Sequence, residues 1–145
     1  MQKQPEHDYR VAIWMDHRTA KIVKPVSREE FEIELLESQG HHGEHKAHDN
    51  SQTHDNYNEG KHRESVKQFF GELEKKLNGY DTFLLMGPST AKNEFEHVMR
   101  SGKHFHGKRV AVDNLENVSD SELIAYVKKN LRARMDIYRD EEMIK

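Results

Sequence analysis

The chain is 145 residues long, carries no cysteine and 11 histidines, and has a net charge of −3 with the histidines neutral. That length suits one domain with a real core. The missing cysteine excludes disulfides and thiolate metal sites, and the slightly acidic balance does not point to a strongly basic nucleic-acid binder. No apolar run is long enough to span a bilayer, and the opening residues MQKQPEHDYR lack the apolar core of a signal peptide, so a cytoplasmic protein is expected. The mean hydropathy is low, −1.05. The apolar residues are nevertheless bunched into periodic segments, the pattern of a folded domain with one polar insertion.

Residues 1–8 read as a loose leader, and the domain itself spans residues 9–132. Tyr9 to Met15, YRVAIWM, has the β-branched and aromatic content of a central strand. Asp16-His17-Arg18-Thr19 is a polar turn. Ala20 to Lys24 forms a second strand, ended by Pro25, which has no N–H for a ladder. Phe31-Glu32-Ile33-Glu34-Leu35 alternates strictly, so one face is buried and the other carries glutamates. The short links make these three strands an antiparallel meander. Residues 38–62, SQGHHGEHKAHDNSQTHDNYNEGKH, then break every period and are rich in His, Asn, Asp and Gly. They read as a long, mobile, exposed insertion, of a length that in compact domains is usually functional or disordered.

Order resumes with Val66, Phe69, Phe70, Leu73 and Leu77 at helical spacing, stopped by Asn78-Gly79. Tyr80 to Met99, YDTFLLMGPSTAKNEFEHVM, is a strand–turn–helix unit. Thr82–Met86 is apolar throughout, as in a strand covered on both faces. Pro88 stops it, Ser89 or Thr90 can cap the helix with its hydroxyl, and Ala91, Phe95, Val98 and Met99 share one helical face. Ser101-Gly102 ends that helix, and Arg109 to Val112 is a short fifth strand. Ser119-Asp120-Ser121-Glu122 is a capping box ahead of a last helix with Leu123, Ile124, Val127 and Leu131 inward. Residues 133–145 form a charged tail that extends this helix or frays.

Right-handed crossovers place the later strands parallel to the first, on the far side of the meander. The expected fold is therefore α/β and ribonuclease H-like, a single domain with a five-stranded mixed sheet in the order 3-2-1-4-5 and three helices. The antiparallel start disfavours a flavodoxin-like doubly wound sheet.

Four groups of residues carry chemistry. Nucleases of this fold hold divalent ions with carboxylates. Asp16 follows the first strand and Glu64 lies in the first helix, but strand four ends in Met86-Gly87, Asp81 sits at its wrong end and Asp113 follows strand five. The turn Gly87-Pro88-Ser89-Thr90-Ala91-Lys92 offers a helix start to an anion, with Lys92 adding charge. It lacks P-loop spacing, and its plainer reading is a capped helix with a surface lysine. The histidines are the loudest signal. His41, His42, His45 and His48, with Lys46 between them and Glu44, Asp49, His54 and Asp55 nearby, have the donor chemistry for a divalent metal. A specific site needs fixed geometry as well, and the plain reading is a solvated polar loop. Small basic groups, Lys103-Lys108-Arg109 and Lys128-Lys129-Arg132-Arg134, have the charge to touch an RNA backbone, although such helical charges are more often a solvated face.

The series VAIWMDHRTAKI, VKQFFGELEKKL, FLLMGPSTAKNEFEHVM and KRVAVDNLENVSDSELIAYVKKNL resembles small bacterial proteins labelled translational machinery proteins. These are similar to the middle domain of eukaryotic and archaeal peptide-chain release factors, which is ribonuclease H-like. The resemblance covers Tyr9 to Leu131. It implies that the insertion occupies the place where a release factor carries its Gly-Gly-Gln tip. This chain has Gln39-Gly40-His41-His42-Gly43-Glu44-His45 there instead. The expectation is a translation-associated accessory protein, not an enzyme and without peptide-release activity of its own. It would bind the ribosome or ribosomal RNA through His41, His42, His45, Lys46 and His48, and through Ser89, Thr90 and Lys92. No cofactor is required, though His41, His42, His45 and His48 admit a divalent metal. The alternatives are a metal-dependent hydrolase or nuclease, and a His-rich metal-binding module.

Overall fold

The computed structural model describes residues 9–27, 29–38, 55–137 and 139–145, with only the backbone described for residues 55–62. In chain order the elements are β1 (Arg10–Met15), β2 (Thr19–Pro25), β3 (Phe31–Glu37), α1 (Asp55–Lys76), β4 (Thr82–Gly87), α2 (Ala91–Ser101), β5 (Arg109–Asn114), α3 (Asp120–Met135) and a 3-10 turn, Asp140–Glu142.

The strands form one five-stranded sheet in the order β3-β2-β1-β4-β5. β1 pairs antiparallel with β2, and β2 with β3; β1–β4 and β4–β5 are parallel. This is the mixed, ribonuclease H-like arrangement expected from the element order. The period of two in β1 sorts its side chains into two cores. Val11, Ile13 and Met15 join Phe83 and Leu85 beneath α1 and α2, which contribute Phe69, Phe70, Leu73, Leu77, Phe95 and Met99. Ala12 and Trp14 join Leu84 and Met86 beneath α3, which contributes Leu123, Val127, Leu131 and Met135. Both faces of β1 and β4 are thus covered, as their unbroken apolar runs require. Each large side chain buried in this way contributes about 1.5–3 kcal/mol of transfer free energy. Phe70 packs edge-on against Phe95 at 5.2 Å between centroids, locking α1 to α2.

The capping box at α3 forms in full. Ser119 Oγ accepts from Glu122 N at 3.1 Å, and Glu122 Oε1 accepts from Ser119 N at 2.9 Å. β3 follows its alternation only in part. Phe31 and Ile33 pack on the α3 core, but Leu35 on the same face is exposed, and Leu36 on the glutamate face is the buried residue. The α3 layer reaches the first half of this outer strand and not the second.

One boundary departs from the sequence reading. The helix before β4 begins at Asp55, so residues 55–62 are helical rather than part of the insertion. Tertiary packing of Phe69, Phe70, Leu73 and Leu77 fixes the nucleus of α1. Each residue added towards the N-terminus then needs only propagation, which Asn and Gly weaken without preventing. In the charged tail, Ala133 to Met135 extend the last helix, one of the two expected outcomes, and the described residues beyond them pack back on the domain. α3 ends at Met135, and the chain folds back so that Ile144 is buried and Met143 bridges Arg109 at the start of β5. Glu142 sits buried between Arg109 (2.9 Å) and Arg134 (2.7 Å). The polar composition concealed this because its partners lie on β5 and α3, not in the tail itself.

Candidate functional site

The carboxyl ends of β1 and β4 meet at one pole of the sheet, the usual ligand crevice of parallel α/β arrangements. Gly87 ends β4 with φ +154°, and a Cβ there would lie 2.1 Å from the Met15 carbonyl oxygen. Only glycine lets the two strand ends approach this closely. The Gly87 carbonyl accepts from Leu115 N at 3.2 Å. Trp14 Nε1 donates to the carbonyls of Leu115 (3.0 Å) and Glu116 (3.3 Å), pinning the loop after β5 to the same pole.

At the start of α2 the expected hydroxyl cap is made only weakly, by Ser89 and not by Thr90. Thr90 takes the N-cap place but is already helical (φ −84°, ψ −3°), and its hydroxyl donates to Glu94 Oε2 at 3.1 Å. Ser89 Oγ reaches Ala91 N only at 3.5 Å. Lys92 is not a surface lysine: it is 4% exposed, and its ammonium donates to the Ser89 carbonyl at 2.5 Å. It shares the inner face of α2 with Ala91, Phe95 and Met99. The negative group that the helix dipole favours is supplied from within, by Glu94 in the first turn.

Across the pole, Asp16 Oδ1 accepts from the Arg18 and Thr19 amides at 2.8 Å each, closing the β1–β2 turn as an Asx turn. That turn presents His17, whose Nε2 lies 3.0 Å from Glu94 Oε1. His17, Glu94 and Thr90 therefore form one polar chain from the hairpin to α2. The sequence reading missed this link, since residues 77 positions apart share no local period. The carboxylates expected of a nuclease are not assembled. Asp16 closes its turn, Glu64 lies exposed on α1, and Asp113 faces Tyr126 (3.4 Å) and Arg134 (3.5 Å) on the α3 side. No group of three or more His, Asp or Glu placed to hold a metal ion occurs among the described residues. Lys108 and Arg109 are structural, since Lys108 Nζ donates to the Tyr80 carbonyl at 2.6 Å and Arg109 belongs to the Glu142 network.

His41, His42, His45, Lys46 and His48 lie outside the described residues. Ser38 is held by its amide on the Arg18 carbonyl, 2.7 Å, at the β1–β2 turn. α1 runs from the same pole to Lys76, close in the chain to the start of β4. Its 22 residues span about 33 Å at the usual helical rise, against roughly 20 Å for a six-residue strand. Among the residues whose side chains are described, α1 buries Ser65, Phe69, Phe70 and Leu73.

No family model and no curated protein matches the chain. Among solved structures it is similar to the Thermoplasma acidophilum Pelota protein, with a TM-score of 0.56 and 14% identity over 87% of this chain and 34% of that one. At that identity the likeness is one of fold. The chain spans about a third of Pelota's length. No helix among the described residues is long and apolar enough to cross a membrane.

Proposed function

We propose that the protein is a translation-associated accessory factor that docks on the ribosome or another translation component and does not release peptides itself. One observation carries the reading. β3 ends at the pole formed by the β1 and β4 ends, and on the resemblance to release-factor middle domains the His-rich segment that follows it corresponds to the connection carrying their Gly-Gly-Gln tip. The release-factor-like fold shared with a segment of Pelota supports it. The Gly-Gly-Gln needed for release is missing from that segment. The proposed contact residues are His41, His42, His45, Lys46 and His48, together with Ser89 and Thr90, the Ser89 carbonyl being held by buried Lys92. On this reading its place of action is the cytoplasm, where ribosomes work.

Cosedimentation with ribosomes at moderate salt tests the proposal. Binding by the full chain, reduced when residues 39–54 are replaced by a short Gly-Ser linker, is the expected result. Absence from ribosomal fractions of growing and of starved cells alike would overturn it.

A further inference from the structure

The two edges of the sheet are treated differently. β5 is partly covered by the returning C-terminal segment: Met143 bridges Arg109, the Ile144 amide donates to Lys108 O at 2.8 Å, and Gly107 N donates to Ile144 O at 2.8 Å. β3 has no strand on its outer side among the described residues. Its pairing with β2 runs through seven consecutive partners, from Thr19↔Glu37 to Pro25↔Phe31, without a bulge. It contains no proline and no lysine, the usual guards of an exposed edge. A regular strand of this kind is a template for one more strand.

Charge says which strand. Glu29, Glu30, Glu32, Glu34 and Glu37 fall in this stretch, with no basic residue among them. Glu34 is answered by Lys24 at 2.8 Å and Lys76 at 2.6 Å. Glu32, 3.7 Å from Lys24, keeps a side chain that is 60% exposed, and Glu37 is also exposed. The opposite face of the strand offers half-buried Phe31 and Ile33 and exposed Leu35, with Glu37 at its end. A second copy would set glutamate against glutamate, which is unfavourable in a sheet. An RNA backbone would meet the same negative edge.

We infer that β3 receives an extended, basic segment of a partner protein, paired edge to edge, with lysines or arginines over Glu32 and Glu34 and small apolar side chains over Ile33 and Leu35. That this partner belongs to the translation apparatus rests on the reading above; the preference of the edge for a basic strand does not.

The probe is a blocked nine-residue peptide alternating lysine and valine, added to the full chain while backbone amide exchange is followed by NMR. The expected result is protection of β3 amides. Binding should weaken about fivefold or more for Glu32→Lys and for Leu35→Lys, both at exposed positions, and should vanish when alternate peptide amides are N-methylated. Equal binding of the N-methylated peptide, or of a peptide with glutamate in place of lysine, overturns the inference. So does protection of β3 by an RNA oligonucleotide or by self-association of the chain alone. If the peptide protects β3 but the chain does not sediment with ribosomes, the edge assignment stands and the ribosomal reading falls. Ribosome binding without protection of β3 gives the converse.

Discussion

At Gly87 a methyl group would have to displace the backbone of β1, because its nearest neighbour is the Met15 carbonyl oxygen and not a movable side chain. Gly87→Ala is expected to cost about 2–4 kcal/mol, read as a lower midpoint in urea unfolding. Ser119→Ala removes half of a reciprocal cap and should cost roughly 1 kcal/mol. Glu122 reports the same contact from the other side. The Ser119 amide and then its hydroxyl hold its carboxyl below the ordinary carboxylate range, and that depression should shrink but persist in the Ser119→Ala variant, which keeps the amide, when the Glu122 side-chain carbon is followed by NMR titration.

Among the elements, the seam between β2, β3 and α1 is tied by Lys24, Glu34 and Lys76. Hydrogen bonds from Lys24 and then Lys76 lower the Glu34 pKa, while the bond to Glu34 raises that of Lys24. The Glu34 contribution is therefore fully present above its ordinary value of 4.5 and is lost as the pH falls through the depressed one. The Lys24 contribution is present below 10.5 and is lost as the pH rises through the raised value. Glu34→Gln should destabilise by on the order of 0.5–1 kcal/mol at neutral pH, because the groups are partly screened by solvent. The gap between variant and parent should close in acid, as thermal melts across pH 2–7 would register on the order of a few degrees. The strands were legible because β1 and β4 have apolar runs that only a doubly covered strand explains. The first half of α1 was not legible, since Asn, Gly and His carry no apolar period and the helix there depends on packing further along. At the candidate site the glycine corner could be read from Gly87-Pro88. The buried place of Lys92 and the His17–Glu94 contact could not, because each depends on how α2 settles against the sheet.

For the molecule as a whole, the C-terminal segment closes the end of the sheet opposite the candidate site. Arg109 donates to Glu142 and to the carbonyls of Met135 and Ile137, while Arg100 donates to the carbonyls of Met143 (2.9 Å) and Glu141 (3.0 Å). Glu142→Gln leaves two guanidinium groups facing a neutral amide and should cost about 2–4 kcal/mol in chemical unfolding. Truncation before Asp140 should release the Gly107 amide to rapid hydrogen exchange while Leu84, in the centre of the sheet, stays protected. This order of assembly matters during synthesis. β5 is translated well before the segment that covers it, and a nascent chain holding β1 to β5 presents two open sheet edges at once. The interval until Ile144 is made is then the time at which co-translational mispairing, or chaperone capture, has its best opportunity.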